Sequence, residues 1–255
     1  MLDSAEKRRE KIIELINKEG RVKVSELSRI YGISEVTVRS DLEYLESTGS
    51  IKRVHGGAIA KDKLYIDMDV AERFTTNAAS KKAIAQKLAE LIGDDDTIIL
   101  NSGTTLTYVL RALRGKKNIT ILTNSIAIAT EASSYYGFNV TLLGGLVESK
   151  YGFTYGPDSV SQLDKYHAGK CILSVDGVTG SHGLSLYYAS EAELINKMIS
   201  CADTVIVAAD SSKIGRNTFA RVCPITDVDV LVTSRADNAD ALSSIRKSGV
   251  EVYEA

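Results

Sequence analysis

The chain has 255 residues, of which 44% are hydrophobic and 25% charged, an ordinary globular composition long enough for one small and one medium unit. It contains no run of about 18 apolar residues that would span a membrane, and its start, Met1-Leu2-Asp3-Ser4 followed by charges, lacks the apolar core of a signal peptide. Cys171, Cys201 and Cys223 are scattered with no C-x-x-C pair, which suits reduced thiols in a cytoplasm better than a disulfide framework.

Net charge is −2, so bulk electrostatics do not announce a nucleic-acid partner. Residues 1–60 carry eleven Lys and Arg against ten Asp and Glu, and the remainder carries twenty against twenty-three. The asymmetry has the sign of a DNA-binding head but is small. Where the cations sit must carry the case.

In chain order, Arg8 to Lys18 reads as a first helix with Ile12, Ile13, Leu15 and Ile16 on its apolar side, stopped by Gly20. Ser25 caps a short second helix to Tyr31, and Gly32-Ile33 makes a tight turn. Ser34 caps a third helix to Thr48, whose inner stripe is Val38, Leu42 and Leu45. Short helix, glycine turn, longer helix is the helix-turn-helix pattern. Its outer face holds Glu35, Thr37, Arg39, Ser40 and Glu43, with Thr37, Arg39 and Ser40 in the half such proteins present to base edges. Ser50 to Ile59 then reads as two short strands around a Gly56-Gly57 turn, a hairpin wing with a basic rim. Candidate DNA contacts are therefore Ser34, Thr37, Arg39, Ser40, Lys52, Arg53 and His55. The competing reading is a different small helical domain with Arg39 as a surface charge.

Val24-Ser25-Glu26-Leu27, the run Ile33 to Leu42 and Arg53-Val54-His55-Gly56-Gly57-Ala58 resemble the DNA-binding signature of the DeoR family of bacterial sugar-operon regulators. The family usually has two consecutive arginines in the third helix, and here the second is Ser40. One such head buries too little surface for operator specificity, so at least a homodimer on double-stranded operator DNA is expected.

Residues 61–77 read as a linker with room for a short element, which gives domain bounds of 1–60, 61–77 and 78–255. From Ala78 helices and apolar strands alternate. Helices are expected at 79–91, from 105, at 125–133, 190–201 and 238–247. Strands are expected at 97–100, 119–122, 139–143, 170–175, 204–209, 228–232 and 250–253. That alternation implies an α/β domain with a mostly parallel sheet covered on both faces, binding ligands at the carboxyl ends of its strands.

Asn101-Ser102-Gly103-Thr104-Thr105 follows one strand and opens a helix, so its amides, hydroxyls and glycine form an anion cradle. It lacks the Gly-Lys-Ser/Thr ending of a nucleotide-binding P-loop, and simple helix capping competes. Asp210-Ser211-Ser212-Lys213 offers a cation after another strand, and Asp176-Gly177 a carboxylate for sugar hydroxyls. Both also read as ordinary turns.

These loops, with Ser80-Lys81-Lys82, Thr123-Asn124-Ser125 and Leu143-Gly144-Gly145, resemble the DeoR-family sensor, which is similar in fold to ribose-5-phosphate isomerase and CoA transferases. The resemblance implies a phosphorylated sugar effector and a site of Lys81, Ser102, Gly103, Thr104, Thr105, Asn124, Asp176, Gly177 and Lys213, with no cofactor and no membrane partner. The family commonly has Asp where this chain has Asn101, which loses a charge beside the proposed anion site and is expected to bear on effector choice.

An isomerase-like enzyme is the alternative. It needs a second carboxylate three residues after the first, and in Asp176-Gly177-Val178-Thr179 that place is Thr. No nucleophilic glutamate in a CoA-transferase context is recognisable. His167 and Cys171, four apart, could share a helical face, but no second pair completes a metal site. The tyrosines at 151–155 and 187–188 suit a pocket wall, an oligomer interface or core packing.

Overall fold

The computed structural model describes residues 5–19, 21–48, 50–60, 68–235 and 238–255, which form two compact units meeting between Asp69 and Val70. The first holds α1 (Ala5–Glu19), β1 (Arg21–Lys23), α2 (Val24–Tyr31), α3 (Glu35–Ser47), β2 (Ile51–Val54) and β3 (Gly57–Ala60). Ile12, Ile16, Leu27, Val38, Leu42 and Leu45 from the three helices bury against Val22, Ile51 and Ala58 of the strands. Gly20, the expected stop of α1, and residues 61–67 of the expected linker lie outside the described residues.

Three local readings are corrected. The second helix opens at Val24 rather than behind a Ser25 cap, and the Glu26 carboxylate accepts the Lys23 backbone N–H at 3.1 Å. β1 was not anticipated; it pairs with β3 and extends the hairpin to a three-stranded sheet of order β1-β3-β2. The wing turns at His55-Gly56, with Val54 opposite Gly57, instead of at Gly56-Gly57. Gly56 supplies the positive φ of 77°, while Gly57 is a strand residue so close to β1 that a Cβ would meet the Val22 carbonyl oxygen at 2.0 Å.

α1 is tied to α3 through one buried carboxylate. Asp41 accepts Arg8 Nε at 2.7 Å and Arg9 Nε at 2.9 Å, and Arg9 also lies over the Tyr44 ring at 3.9 Å.

The second unit begins with α4 (Val70–Thr75) and α5 (Ala78–Glu90), so the C-terminal part of segment 61–77 is helical. Next come β4 (Thr97–Leu100), α6 (Thr104–Ala112), β5 (Thr120–Thr123), α7 (Ile126–Ala132) and β6 (Asn139–Leu142). A short pair, β7 (Leu146–Glu148) and β8 (Phe153–Tyr155), precedes α8 (Pro157–Gln162) and β9 (Ala168–Leu173). After β10 (Gly177–Thr179), β11 (Gly183–Leu186) and α9 (Ala189–Ser200) the chain returns to the main sheet as β12 (Ala202–Ala209). It ends with β13 (Ala220–Cys223), β14 (Val230–Thr233), α10 (Ala239–Lys247) and β15 (Glu251–Glu254).

Seven strands form one parallel sheet in the order β15-β14-β12-β9-β4-β5-β6. Successive residues alternate between two cores. Ile98, Leu100, Ile121, Ile172, Ile206 and Val232 pack with α5 and α6, whereas Ile99, Leu122, Leu173, Val207 and Leu231 pack with α9 and α10. Burial on both faces explains why these strands read as continuous apolar runs. The small antiparallel sheets, β7-β8 and β10-β11-β13, are not visible in the sequence, because strands of three or four residues are too short to show a period.

Replacing Asp41 with Ala leaves two arginines without their shared acceptor. The expected result is a loss of about 2 kcal/mol in the first unit's stability, read by urea denaturation. The transition of the second unit should not move.

Candidate functional site: a switch-point crevice and a recognition helix

In the main sheet the chain runs outward from β4 through β5 to β6 on one side, then restarts at β9 and runs to β15 on the other. The order reverses between β4 and β9, the point at which loops leaving the carboxyl ends of such a sheet part to form a crevice. Asn101, directly after β4, spans it. Its Nδ2 donates to the Ser174 carbonyl at 3.0 Å and its Oδ1 accepts the Ser174 N–H at 2.8 Å. Only an amide can do both, since a carboxylate would face the carbonyl with no proton to give. Asn101 is therefore a clamp in the floor of the crevice rather than a missing charge.

Gly103 follows in a backbone conformation of φ 137°, with Ser174 Oγ 2.9 Å from where a Cβ would lie, and α6 starts at Thr104. Among the described residues no side chain caps this helix, whose N-terminus lies beside Lys81. Lys81 enters from α5 with its side chain 1% exposed. Its Nζ donates to Thr104 Oγ1 at 3.0 Å and to the Arg73 carbonyl. Burial lowers its pKa to about 8, partly resisted by the nearby Asp210 carboxylate and assisted by Lys213 and Arg73.

The second lysine comes from the far side. Asp210 ends β12 and caps a single 3-10 turn, Ser211–Lys213, by accepting the Ser212 N–H at 3.0 Å; it also accepts Asn77 Nδ2 at 3.2 Å. The turn directs Lys213 inward, buried, with Nζ 3.9 Å from Asp176 Oδ1. Asp176 lies three residues beyond the end of β9, not at the close of the strand as expected, and its other oxygen accepts the Tyr187 N–H at 3.0 Å.

A carboxyl that the sequence reading missed joins these groups. Glu191, in the first turn of α9, accepts Ser102 Oγ at 2.8 Å and Asn124 Nδ2 at 3.2 Å, both on Oε1. Asn124 donates its other proton to the Thr154 carbonyl at 3.0 Å, which fixes it between β5 and β8. Burial raises the Glu191 pKa to about 7 despite those two donors, and Asp176 pushes the same way. Nothing in the sequence around Glu191 separates it from the other charged residues of an amphipathic helix. The Tyr151 ring forms an edge of this region, with Arg73 4.3 Å above it and Tyr188 OH donating to its hydroxyl at 2.8 Å.

Lys81, Ser102, Gly103, Thr104, Asn124, Asp176 and Lys213 are thus brought into one linked cluster, and Thr105 is buried in the first turn of α6. Gly177 opens β10, where a Cβ would strike the Arg216 carbonyl oxygen at 2.4 Å, so packing alone requires glycine there. Thr179 accepts the His182 N–H at 3.0 Å and shapes the β10-β11 turn. His167 and Cys171 do not share a helical face. His167 is exposed beside Asp203, and Cys171 is buried within β9. Among the described residues no group of three His, Cys, Asp or Glu is placed to hold a metal, and no helix is long and apolar enough to cross a membrane.

In the first unit, Ser34 caps α3 by accepting the Thr37 N–H at 3.2 Å, and the two hydroxyls lie 2.9 Å apart. Arg39 pairs with Glu35 at 2.7 Å along the exposed helix face, and Arg53 pairs with Glu43 at 2.7 Å. Such exposed pairs are worth a few tenths of a kcal/mol, so they hold the cations without preventing exchange to another anion. Ser40, Lys52 and His55 are exposed.

Residues 8–63 match the DeoR-like helix-turn-helix domain and residues 76–235 the DeoR C-terminal sensor domain. An aga operon transcriptional repressor, as it is designated in Escherichia coli O157:H7, is 32% identical over 96% of this chain and 92% of its own length. The HTH-type transcriptional repressor GlcR of Bacillus subtilis is 30% identical over 94% of this chain and 93% of its own. Among solved structures, ribose 5-phosphate isomerase A from Neisseria gonorrhoeae is similar over 52% of each chain, at 17% identity and a TM-score of 0.39. With both halves matched and relatives aligned over nearly the full length, the chain belongs to the DeoR family and is a DNA-binding transcriptional regulator, not an enzyme.

Proposed function

We propose that this regulator represses a sugar-catabolic operon from the cytoplasm, binds its operator as a dimer or larger homo-oligomer, and responds to a phosphorylated sugar held in the switch-point crevice. The observation that carries the effector reading is the burial of two neighbouring lysines, Lys81 bonded to Thr104 at the uncapped start of α6 and Lys213 beside Asp176, close enough that each charge is felt at the other. Buried ammonium groups are costly, and Lys81 here has only neutral oxygens as hydrogen-bond partners. A phosphate dianion would supply the missing charge, collecting bonds from both lysines, Thr104 and the first amides of α6. Asp176 and Glu191 supply acceptors for the hydroxyls of an attached sugar. The designations of the two relatives as transcriptional repressors support the sign of regulation.

Operator recognition is tested by electrophoretic shift on DNA from upstream of the chain's own gene. Binding at least about a thousandfold tighter than to random duplex is expected at physiological salt, and equal affinity for both would remove the repressor reading. The effector site is tested by calorimetric titration of phosphorylated sugars. Lys213→Ala should weaken binding by about 1.5–3 kcal/mol while leaving effector-free DNA affinity unchanged. An unaltered response would place the phosphate elsewhere.

Glu191 adds a pH signature. An unfolded glutamate titrates near 4.5 and this one near 7, so between those values the folded form keeps a proton the unfolded form has lost. The contribution is complete below pH 4.5 and is lost as pH rises to about 7, amounting to about 3 kcal/mol at most. In Glu191→Gln the decline in stability across that window should flatten, as measured by urea denaturation at a series of pH values. A decline identical to wild type would show that Glu191 is already ionised at pH 5.

A further inference from the structure

The recognition helix carries one residue whose exposure its fold does not explain. Val36, the second residue of α3, is 73% exposed and takes no part in the core of the first unit. Successive helical residues are offset by about 100°, so Val36 projects nearly opposite the stripe formed by Val38, Asp41, Leu42 and Leu45. It stands at the crest of the outward face, in the N-terminal half that a helix-turn-helix presents to the major groove. Ser40 is four residues on, on the same face one turn below. Being short and exposed, it leaves the valine methyls uncovered where a long side chain would lie across them.

The neighbours have other work. Ser34 and Thr37 bond to each other and cap the helix, and Arg39 is drawn along the side of the helix to Glu35. Valine is a poorer helix former than alanine because its branched Cβ restricts χ1 against the preceding turn. An exposed valine here serves neither packing nor helix formation. The major groove offers such a side chain one apolar partner, the C5 methyl of thymine.

We propose that Val36 is a specificity-determining residue of this regulator, reading a thymine in each operator half-site by van der Waals contact between its methyl groups and the thymine C5 methyl. The contact is apolar and independent of the salt that governs phosphate contacts, so it contributes to sequence choice rather than to general affinity for duplex DNA.

The test uses the full-length chain and a preferred duplex selected from a random pool. Each thymine is replaced singly by deoxyuridine, which removes only the C5 methyl. For wild type, one position per half-site should weaken binding about fourfold, the factor expected for one methyl returned to water. In Val36→Ala that position should become indifferent to the replacement, while every other position keeps its wild-type response. Val36→Thr, which retains one methyl, should give an intermediate penalty there. Since Val36 is solvent-exposed and valine is the poorer helix former, Val36→Ala should melt no lower than wild type. Identical deoxyuridine profiles for wild type and Val36→Ala, or a wild type indifferent at every thymine, would overturn the assignment. Failure of the pool to yield any preferred sequence would overturn sequence reading by the head as a whole, a separate outcome.

Discussion

The parallel pairing of β4 with β9 is the constraint on which the sensor site depends. Parallel strands joined by helices place all their carboxyl ends on one side of the sheet, and only where the winding reverses do adjacent loops part. The reversal falls between these two strands, and Asn101 closes its floor by bonding to both backbone groups of Ser174. Gly103 can then lie against Ser174, and α6 can begin directly after it at Thr104. Lys81, Asp176, Glu191 and Lys213 reach this place from four different segments of the chain.

The charges gathered there are held at a cost. Lys81 and Glu191 both have pKa values driven toward neutrality by burial, in opposite directions, which marks an interior that stabilises neither ionised form fully. Functional sites commonly store such instability until a ligand relieves it. Asp176 is engaged by Lys213 and the Tyr187 amide, and Thr179 by a backbone turn.

The first unit solves a different problem, which is to present one helix face rigidly from a small core. Asp41 sits on the inner side of α3 and draws Arg8 and Arg9 of α1 onto it, so the recognition helix is fixed by charge as well as by Leu42 and Leu45. β1 adds a third strand that holds the wing from below, and the Val24 N–H donates to the Gly56 carbonyl at 2.9 Å, which joins α2 to the wing turn.

Much of this was written locally. Period-3.6 stripes placed α1 and α3, apolar runs placed the central strands to within a residue or two, and the Gly103-Thr104 loop and Lys213 stood out by their position after strands. Family resemblance added Lys81 and Asn124, which no spacing distinguishes. Glu191 stayed invisible because a carboxylate in the first turn of an amphipathic helix is unremarkable until long-range packing buries it against Ser102 and Asn124. Asn101 was misread for the same reason: its partner, Ser174, is 73 residues away. Gly177 reads as part of a ligand loop, and only the tertiary structure shows that the Arg216 carbonyl also demands a glycine there. Val36 was passed over because apolar residues are expected inside, and only the helix's seating shows which side faces out. Propensity and periodicity act over a few residues and determined the elements. Strand order, burial and the pairing of distant polar groups belong to the tertiary structure, and they decided which of the candidate residues meet.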